Sequence, residues 1–304
     1  MIKVRAIEAL TATYVPADTY DIYDKKEKLM STADKIFKKI CTEIIENGIS
    51  SEGQEVRPVW ADGAPAHTIK KFGIINEYDL SKEFPIITLR PTAFKLAIDE
   101  ILWIWQKKSN NVNDLGSKIW NNWADEDGSI GKAYGYQLGV KHKYSEGEFD
   151  QVDRVLYDLK HNPSSRRIMT NIYVHQDLNE MNLYPCAYSM TFNVEGNRLN
   201  AILNQRSSDV LTANNWNVVQ YAILLHMFAQ VSGFEAGKLI HVISDAHIYD
   251  RHVEQVKELL TREEHPAPKL WINPEITNFY DFTVDDFKLI DYAKGKQMKV
   301  EIAI

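Results

Sequence analysis

The sequence predicts an α+β fold. Strand-like and helix-like segments follow one another in mixed order, without the regular strand–helix alternation that builds a doubly wound parallel sheet. No linker, internal repeat or low-complexity stretch divides the chain. Its 304 residues suffice for one large domain or two small ones, and the missing linker favours one.

Ile2 to Ala6 reads as a strand-like start, followed by a polar, Tyr-rich segment. Thr32 to Glu46 reads as a helix, because Phe37, Ile40, Cys41, Ile44 and Ile45 recur at helical spacing and Asn47-Gly48 supplies a stop. Residues 50–72 are loop-like, with Pro58, Gly63 and Pro65, and lead to the apolar run FPIITL before Arg90-Pro91. Thr92 to Lys108 is a second helix, apolar on nearly every side after Glu100 and therefore expected to be deeply buried. Residues 109–145 carry Trp120 and Trp123 among several glycines. Gln151 to Asn162 is an amphipathic helix stopped by Pro163. MTFNV, EGN and RLNAILNQRS form a β-hairpin pattern. Asn217 to Val231 is a largely apolar helix ended by Ser232-Gly233, KLIHVISDAHIY a strand, HVEQVKELLTRE a helix, and KVEIAI an alternating strand-like tail.

The net charge of −7 argues against general nucleic-acid binding, which needs a basic face. Two cysteines are too few for a disulfide scaffold or a structural zinc site, and fit a reducing cytoplasm. MIKVRAIEAL lacks the apolar core and cleavage site of a signal peptide. No apolar run reaches bilayer-spanning length. Cytoplasm is the expected location, and no membrane partner is expected.

Cys186 lies in LYPCAYS, after a proline and before the hairpin, off any apolar stripe. Most lone cysteines are core residues, and Cys41, on the apolar face of its helix, fits that description. A nucleophilic cysteine needs nearby cations or hydrogen-bond donors to become a thiolate. Arg206, across the hairpin, and the Arg166-Arg167 pair upstream are candidates for that field. Glu100 is embedded in an apolar helix, where an unpaired carboxylate is costly. Burial would raise its pKa and suit it to moving protons; the alternative places it at the helix boundary with its head in solvent. Arg57, Arg166, Arg167 and Arg206 are candidate phosphate ligands, because guanidinium forks match phosphate oxygens in pairs. Ser207 and Ser208 add hydroxyls beside Arg206. Any one of these arginines alone reads more readily as solvated surface. No Walker A or GxGxxG sequence is present. In SDAHIYDRH, Asp245, His247 and His252 have no diagnostic metal spacing and HExxH is absent, so no metal is expected. Asn217 opens a buried helix, where an amide either caps the helix or reads the edge of a base.

In this order the pieces resemble the thymidylate synthase family. The strongest blocks are PC at 185–186, QRSSDV at 205–210, NVVQYAILLHMFAQVSG at 217–233 and SDAHIYDRH at 244–252. DEILWIWQ, IWNNWADEDGSIGKAYGYQ, NPSSRRI and the closing AI also match. The resemblance runs from about residue 32 to the C-terminus and is most similar to a divergent bacterial and phage branch. It implies residues 31–304 as the catalytic domain and residues 1–30 as an N-terminal extension without an assigned role. The implied fold is a single domain with a large mixed, mostly antiparallel sheet packed against helices, one sheet face forming a dimer interface.

The activity the resemblance implies is reductive methylation of dUMP to dTMP, with 5,10-methylenetetrahydrofolate as carbon and hydride donor and dihydrofolate as second product. Cys186 would add to C6 of the pyrimidine and make C5 nucleophilic. Tyr134 matches the position linked to C5 proton removal, and Glu100 would hold the proton-carrying water network. Arg57, Arg206 and Ser207 would grip the phosphate, with Arg166 and Arg167 reaching in from the other subunit of a homodimer. Asn217 would read uracil N3 and O4, and His247 and Tyr249 the sugar 3′-hydroxyl. Asp209 would bond the pterin, Trp120 and Trp123 would pack beside the folate, and Ile304 would close over it. Ala213 and Trp216 sit in the loop that lines the folate. No metal, flavin or nicotinamide is implied.

Several positions depart from the family pattern. Ala187 stands where a histidine is usual. LTANNWN carries Ala213 for Gly, Asn215 for Pro and Trp216 for Phe; an extra methyl at Ala213 would shift the backbone if its φ were positive. These changes keep open a dUMP (or, less favoured, dCMP) hydroxymethylase of the same fold, in which water meets the methylene intermediate. Trp120 and the AI tail favour reduction, and Asn217 rather than Asp favours uracil. A non-catalytic nucleotide- or RNA-binding homologue is disfavoured by Cys186, Glu100, Tyr134 and the acidic charge.

Overall fold

The computed structural model describes residues 30–304; the strand expected at Ile2 to Ala6 lies outside them. Helix α1 (Thr32–Asn47) buries Ala33, Phe37, Ile40, Cys41 and Ile44, the predicted stripe, while Ile45 is only partly buried. Strand β1 (Ile49–Ser50) follows, then a loop, then β2 (Thr68–Asp79). The sequence concealed β2 behind an expected loop. Its alternation is broken at Gly73, whose φ of 78° suits a glycine, and it leaves Phe72 and Ile75 exposed beside lysines.

The apolar run FPIITL joins no strand, although Phe84, Ile86, Ile87 and Leu89 are buried. Side chains and a loop satisfy its backbone in place of a ladder. Ile87 N donates to Asn215 Oδ1 at 3.1 Å, Thr88 N to Asp34 Oδ1 at 2.7 Å, and Gly295 N to the Thr88 carbonyl at 2.8 Å.

Helix α2 (Phe94–Trp105) is buried nearly all round after Ala97. Short elements follow: α3 (Gly135–Gly139), the hairpin β3 (His142–Tyr144) and β4 (Gly147–Phe149), and α4 (Gln151–His161), capped by the Asp150 side chain. Then come β5 (Met169–Asn171), β6 (Ala187–Glu195), β7 (Arg198–Asp209), α5 (Asn215–Ser232) and β8 (Glu235–Tyr249). Helix α6 (Val253–Thr261) and the antiparallel pair β9 (Lys269–Ile272) and β10 (Phe287–Ile290) close the chain. The strand expected at KVEIAI does not form. The tail runs extended, and Ile304 exchanges two backbone hydrogen bonds with Val59, at 2.8 and 2.9 Å.

Six strands form one mixed sheet in the order β1-β2-β8-β7-β6-β5, in which only β7 and β8 are parallel. Helix α5 is the crossover between them and packs on the sheet with α2 against its other side. Its all-round apolar sequence is explained by that position. On the opposite sheet face α1 covers the end near Lys71 and Ile248, and the described residues leave the remainder uncovered. There Ile75 aligns with Val242 and Asn204, and Ile240 with Ile202 and Thr191, opposite Met169. Phe72, Ile75, Met169 and Ile202 are exposed, Phe72 by 86%.

The segment between α2 and α3 is held against the 175–182 loop. Lys132 N donates to the Glu180 carbonyl at 2.8 Å, and Gly131, with φ 74°, passes so close that a Cβ would lie 2.0 Å from that oxygen. Gly131→Ala is expected to cost on the order of 2 kcal/mol in a urea melt, because it adds strain and a backbone clash; a loss within error would show that this crossing point yields freely.

Candidate active site

The β6–β7 hairpin sets the centre. Its register is interrupted between Ala187 and Ser189, and Arg206 N donates to the Cys186 carbonyl at 2.9 Å. This places residue 206 beside residue 186 across the two strands. The Arg206 guanidinium then binds the loop around the thiol. Nε donates to the Pro185 carbonyl at 3.0 Å, and Nη2 to the Tyr184 carbonyl at 2.8 Å and to Cys186 Sγ at 3.7 Å. From the other side, Tyr134 Oη accepts from Cys186 N at 3.2 Å. Tyr134 is buried with φ 46°, a strained conformation for a tyrosine, directly before α3.

The electrostatics at Cys186 are divided. Burial pushes the thiol up, while Arg206, the Tyr134 hydroxyl and Arg57 pull it down. Burial wins, so the thiol lies above its ordinary value. Of the expected arginine field only Arg206 acts on the thiol, joined by Arg57, and together they do not ionise the sulfur. Arg166 and Arg167 are not among the groups acting on it; both are exposed just before β5. Cys41, fully buried on α1, is pushed up further.

Glu100 faces the interior rather than solvent, at 4% exposure. Burial raises its carboxyl to about 7, against lowering by hydrogen bonds from Gln220, Trp120 and Trp216. The Trp216 indole Nε1 donates to Glu100 Oε2 at 3.2 Å. Trp120 stacks edge-on with Tyr134 at 4.9 Å and with Trp123 at 5.9 Å, so the aromatic group links the carboxylate to the wall behind Cys186.

Asn217 is held at both ends of its amide. Oδ1 accepts from Gln205 Nε2 at 3.0 Å and Nδ2 donates to Gln220 Oε1 at 3.0 Å. Gln205 also donates to the Ser207 carbonyl at 3.0 Å and pairs with His241 Nε2 at 2.7 Å. Burial drives His241 down to about 3, so its ring is neutral and donates through Nε2 to Gln205 Oε1. One donor and one acceptor of Asn217 remain available for a ligand. The helix begins two residues before Asn217, so capping is not its role.

Asp245, His247 and His252 do not converge. Asp245 bonds His247 Nδ1 at 2.8 Å and Lys70 at 3.3 Å, whereas His252 Nε2 bonds the Glu301 carbonyl at 2.8 Å. Among the described residues, no group of three or more His, Cys, Asp or Glu side chains is placed to hold a metal. His247 and Tyr249 meet edge to face, 5.3 Å apart, on the last turn of β8. Asp209 is occupied locally, accepting from Leu211 N and Thr212 N at 3.0 and 3.2 Å, so it shapes the turn into α5. Ala213 lies in that irregular turn (Val210–Asn214) and is not among the positive-φ residues, so the extra methyl strains nothing. Asn215 replaces a ring with an amide that holds Ile87 N and the Pro85 carbonyl.

A cavity of about 250 Å³ opens between Arg90–Ala93, Trp216 and the tail, with Met298, Val300 and Ile302 on its wall. Arg90 donates to the Leu211 carbonyl beside it. The sequence reading missed Arg90, Gln205, Gln220 and His241. For Gln220 a signal existed, a polar residue in an apolar helix like Glu100; Gln205 and His241 lay in alternating strands, where polar residues are ordinary.

The thymidylate synthase family model matches residues 35–304. The chain belongs to the thymidylate synthase family. It is 49% identical over 280 residues to the thymidylate synthase of Bacillus licheniformis, covering 90% of this chain and all of that protein. It is 47% identical to that of Bacillus phage phi3T over the same shares. Thermostable thymidylate synthase A from Bacillus subtilis superimposes with a TM-score of 0.86 at 46% identity, covering 89% of this chain and 99% of that one. The family and the mixed α+β fold expected from the sequence are thus established, and no helix among the described residues is long and apolar enough to cross a membrane.

The raised carboxyl of Glu100 has a stability consequence. Its unfolded value is about 4.5 and its folded value about 7, so the fold resists ionisation, and the group costs stability increasingly as pH rises through that window. Glu100→Gln is therefore expected to gain on wild type between about pH 5 and about pH 7 and to hold that gain above. Urea melts at one protein concentration read it; a gap independent of pH would mean the carboxylate is solvated.

Proposed function

We propose that this chain is a thymidylate synthase that methylates C5 of dUMP, yielding dTMP and dihydrofolate. The observation that carries the reading is a half-buried Cys186 thiol facing Arg206 Nη2 at 3.7 Å, with the Tyr134 hydroxyl on the Cys186 backbone N–H. In this reading residues 31–304 are the catalytic domain.

Arg57, Arg206 and Ser207 bind the phosphate, which brings the pyrimidine over the sulfur. Because the resting thiol is pushed up by burial, attack requires the sulfur to pass its proton to water as C6 is approached, with Arg206 stabilising the thiolate. Asn217 accepts from N3–H and donates to O4, with His247 and Tyr249 on the sugar hydroxyl. Addition at C6 places charge on O4 and C5. Glu100, near 7, donates a proton towards O4 and takes it back as that charge rises and falls. Tyr134 guides removal of the C5 proton through water.

The residues present fit a reduced folate. Trp120, Trp123 and Trp216 offer flat apolar faces, and the cavity at Arg90 suits a negatively charged end. Methylenetetrahydrofolate supplies the one-carbon unit and then the hydride. Ala213 and Trp216 wall its site, Asp209 shapes the adjoining turn, and Ile304, clasped to Val59, excludes water.

The same reading makes the protein a homodimer. The uncovered part of the sheet face with Ile75, Met169 and Ile202 supports it, as does the exposure of Arg166 and Arg167 at the entry to edge strand β5. Both cysteines are free, consistent with a reducing cytoplasm.

Incubation with dUMP and methylenetetrahydrofolate is expected to give dihydrofolate absorbance and a nucleotide heavier by a methyl group. Cys186→Ser is expected to abolish turnover by at least about a thousandfold while still binding dUMP. A hydroxymethyl product with tetrahydrofolate would favour the hydroxylating relative; no turnover in wild type would favour a binding protein.

Subunit mixing tests the shared site. Arg166→Ala and Cys186→Ser homodimers are each expected to be nearly inactive. Reassociated at equal amounts, they should recover about a quarter of wild-type turnover, since half the dimers are hybrids with one intact site of two. No recovery in confirmed hybrids would place Arg166 in the site of its own chain.

A further inference from the structure

Trp216 stands where the family pattern carries phenylalanine, a smaller flat ring without a hydrogen-bond donor. Its indole Nε1 donates to Glu100 Oε2 at 3.2 Å, and its ring lines the cavity shared with Arg90, Thr212, Met298 and Ile302. One side chain therefore touches both the carboxylate and the surface on which a folate would pack. We propose that Trp216 is a positioning residue for proton transfer, fixing the Glu100 carboxylate by its N–H and tying it to the occupancy of the cavity. This rests on the role of Glu100 given above.

The surroundings leave this bond little competition. Glu100 lies on α2 beside Asp99, which repels its charge. From α5 it faces Gln220 and the phenol of Tyr221, and Tyr221 in turn feels Cys186. From the 112–134 segment comes Trp120. No lysine or arginine is among the largest influences on it. Ionised Glu100 is therefore stabilised chiefly by neutral donors, two of them indoles. An indole donates and never accepts, so each strengthens with ionisation, and loss of one raises the carboxyl further.

Trp216→Phe keeps the ring face and removes the donor. The expected result is an upward shift of about one pH unit in the inflection of kcat near neutrality, and a fall in kcat of about tenfold below the inflection-corrected maximum. KM for methylenetetrahydrofolate should stay within about threefold, because the packing face is retained. An unmoved inflection, or kcat and KM impaired together with the inflection unmoved, would overturn the proposal and leave Trp216 as packing. Glu100→Gln, run alongside, separates the two readings. If it keeps the wild-type inflection, the role of Glu100 itself fails; if it removes the inflection while Trp216→Phe leaves it in place, only the present proposal fails.

Should Trp216→Phe not fold, indole ¹⁵N resonances of the wild-type holoenzyme decide. Two are expected to move with the Glu100 titration, from Trp120 and Trp216, and both to be stationary in Glu100→Gln. One moving resonance, or none, overturns the proposal.

Discussion

The register of the β6–β7 hairpin governs the site. A bulge at residues 187–189 changes the pairing where the chain enters β6, and the backbone bond from Arg206 N to the Cys186 carbonyl fixes which side chains lie abreast. Side chains alternate along a strand, so a slip of one residue would point Arg206 away from the sulfur. The guanidinium then binds three groups of the 184–186 loop, which makes it a brace for the nucleophile as well as its nearest cation. Everything assembled around Cys186 inherits its position from that pairing.

A second constraint is desolvation. Burying a thiol, a carboxylate and several amides in one region is costly unless each finds a partner. Here the partners are mostly neutral: Gln205 and Gln220 for Asn217, indoles for Glu100, a phenol for Cys186. Neutral donors leave the acid near 7 and the thiol protonated, so the charge resident beside the sulfur before a ligand arrives is that of the arginines. His241 and the Ser207 carbonyl fix the polarity of this amide chain. Three amides could otherwise reverse together, but a backbone carbonyl cannot become a donor.

Much of this was legible in the sequence, for identifiable reasons. The helices at 32–47, 94–105 and 215–232 carry strong periodicity or unbroken apolar character, and the hairpin has a plain turn at Glu195-Gly196-Asn197. Glu100 stood out because a carboxylate in an apolar helix has few outlets. Strand β2 was hidden because its outward face is apolar and a glycine interrupts its alternation. The apolar run at 84–89 was misread because its backbone is satisfied by Asn215 and Asp34, distant in sequence. Arg90 and His241 gave no signal, since a basic residue before a proline and a polar residue in a strand are common. The tail misled because alternation alone does not make a strand: Ile302 and Ile304 on its apolar side are exposed, and of KVEIAI only Ile304 makes backbone–backbone bonds, to Val59.

The two sulfurs illustrate how burial sorts identical groups. Cys41 is sealed beneath α1 with its thiol driven far from ionisation, whereas Cys186 is only half-buried and lies beside a guanidinium. A sulfhydryl reagent applied to the intact protein therefore takes up one equivalent per chain and counts competent sites rather than mass. The second equivalent is consumed only as the helix lifts from the sheet, so a single titrant registers the health of the site first and the opening of the core afterwards.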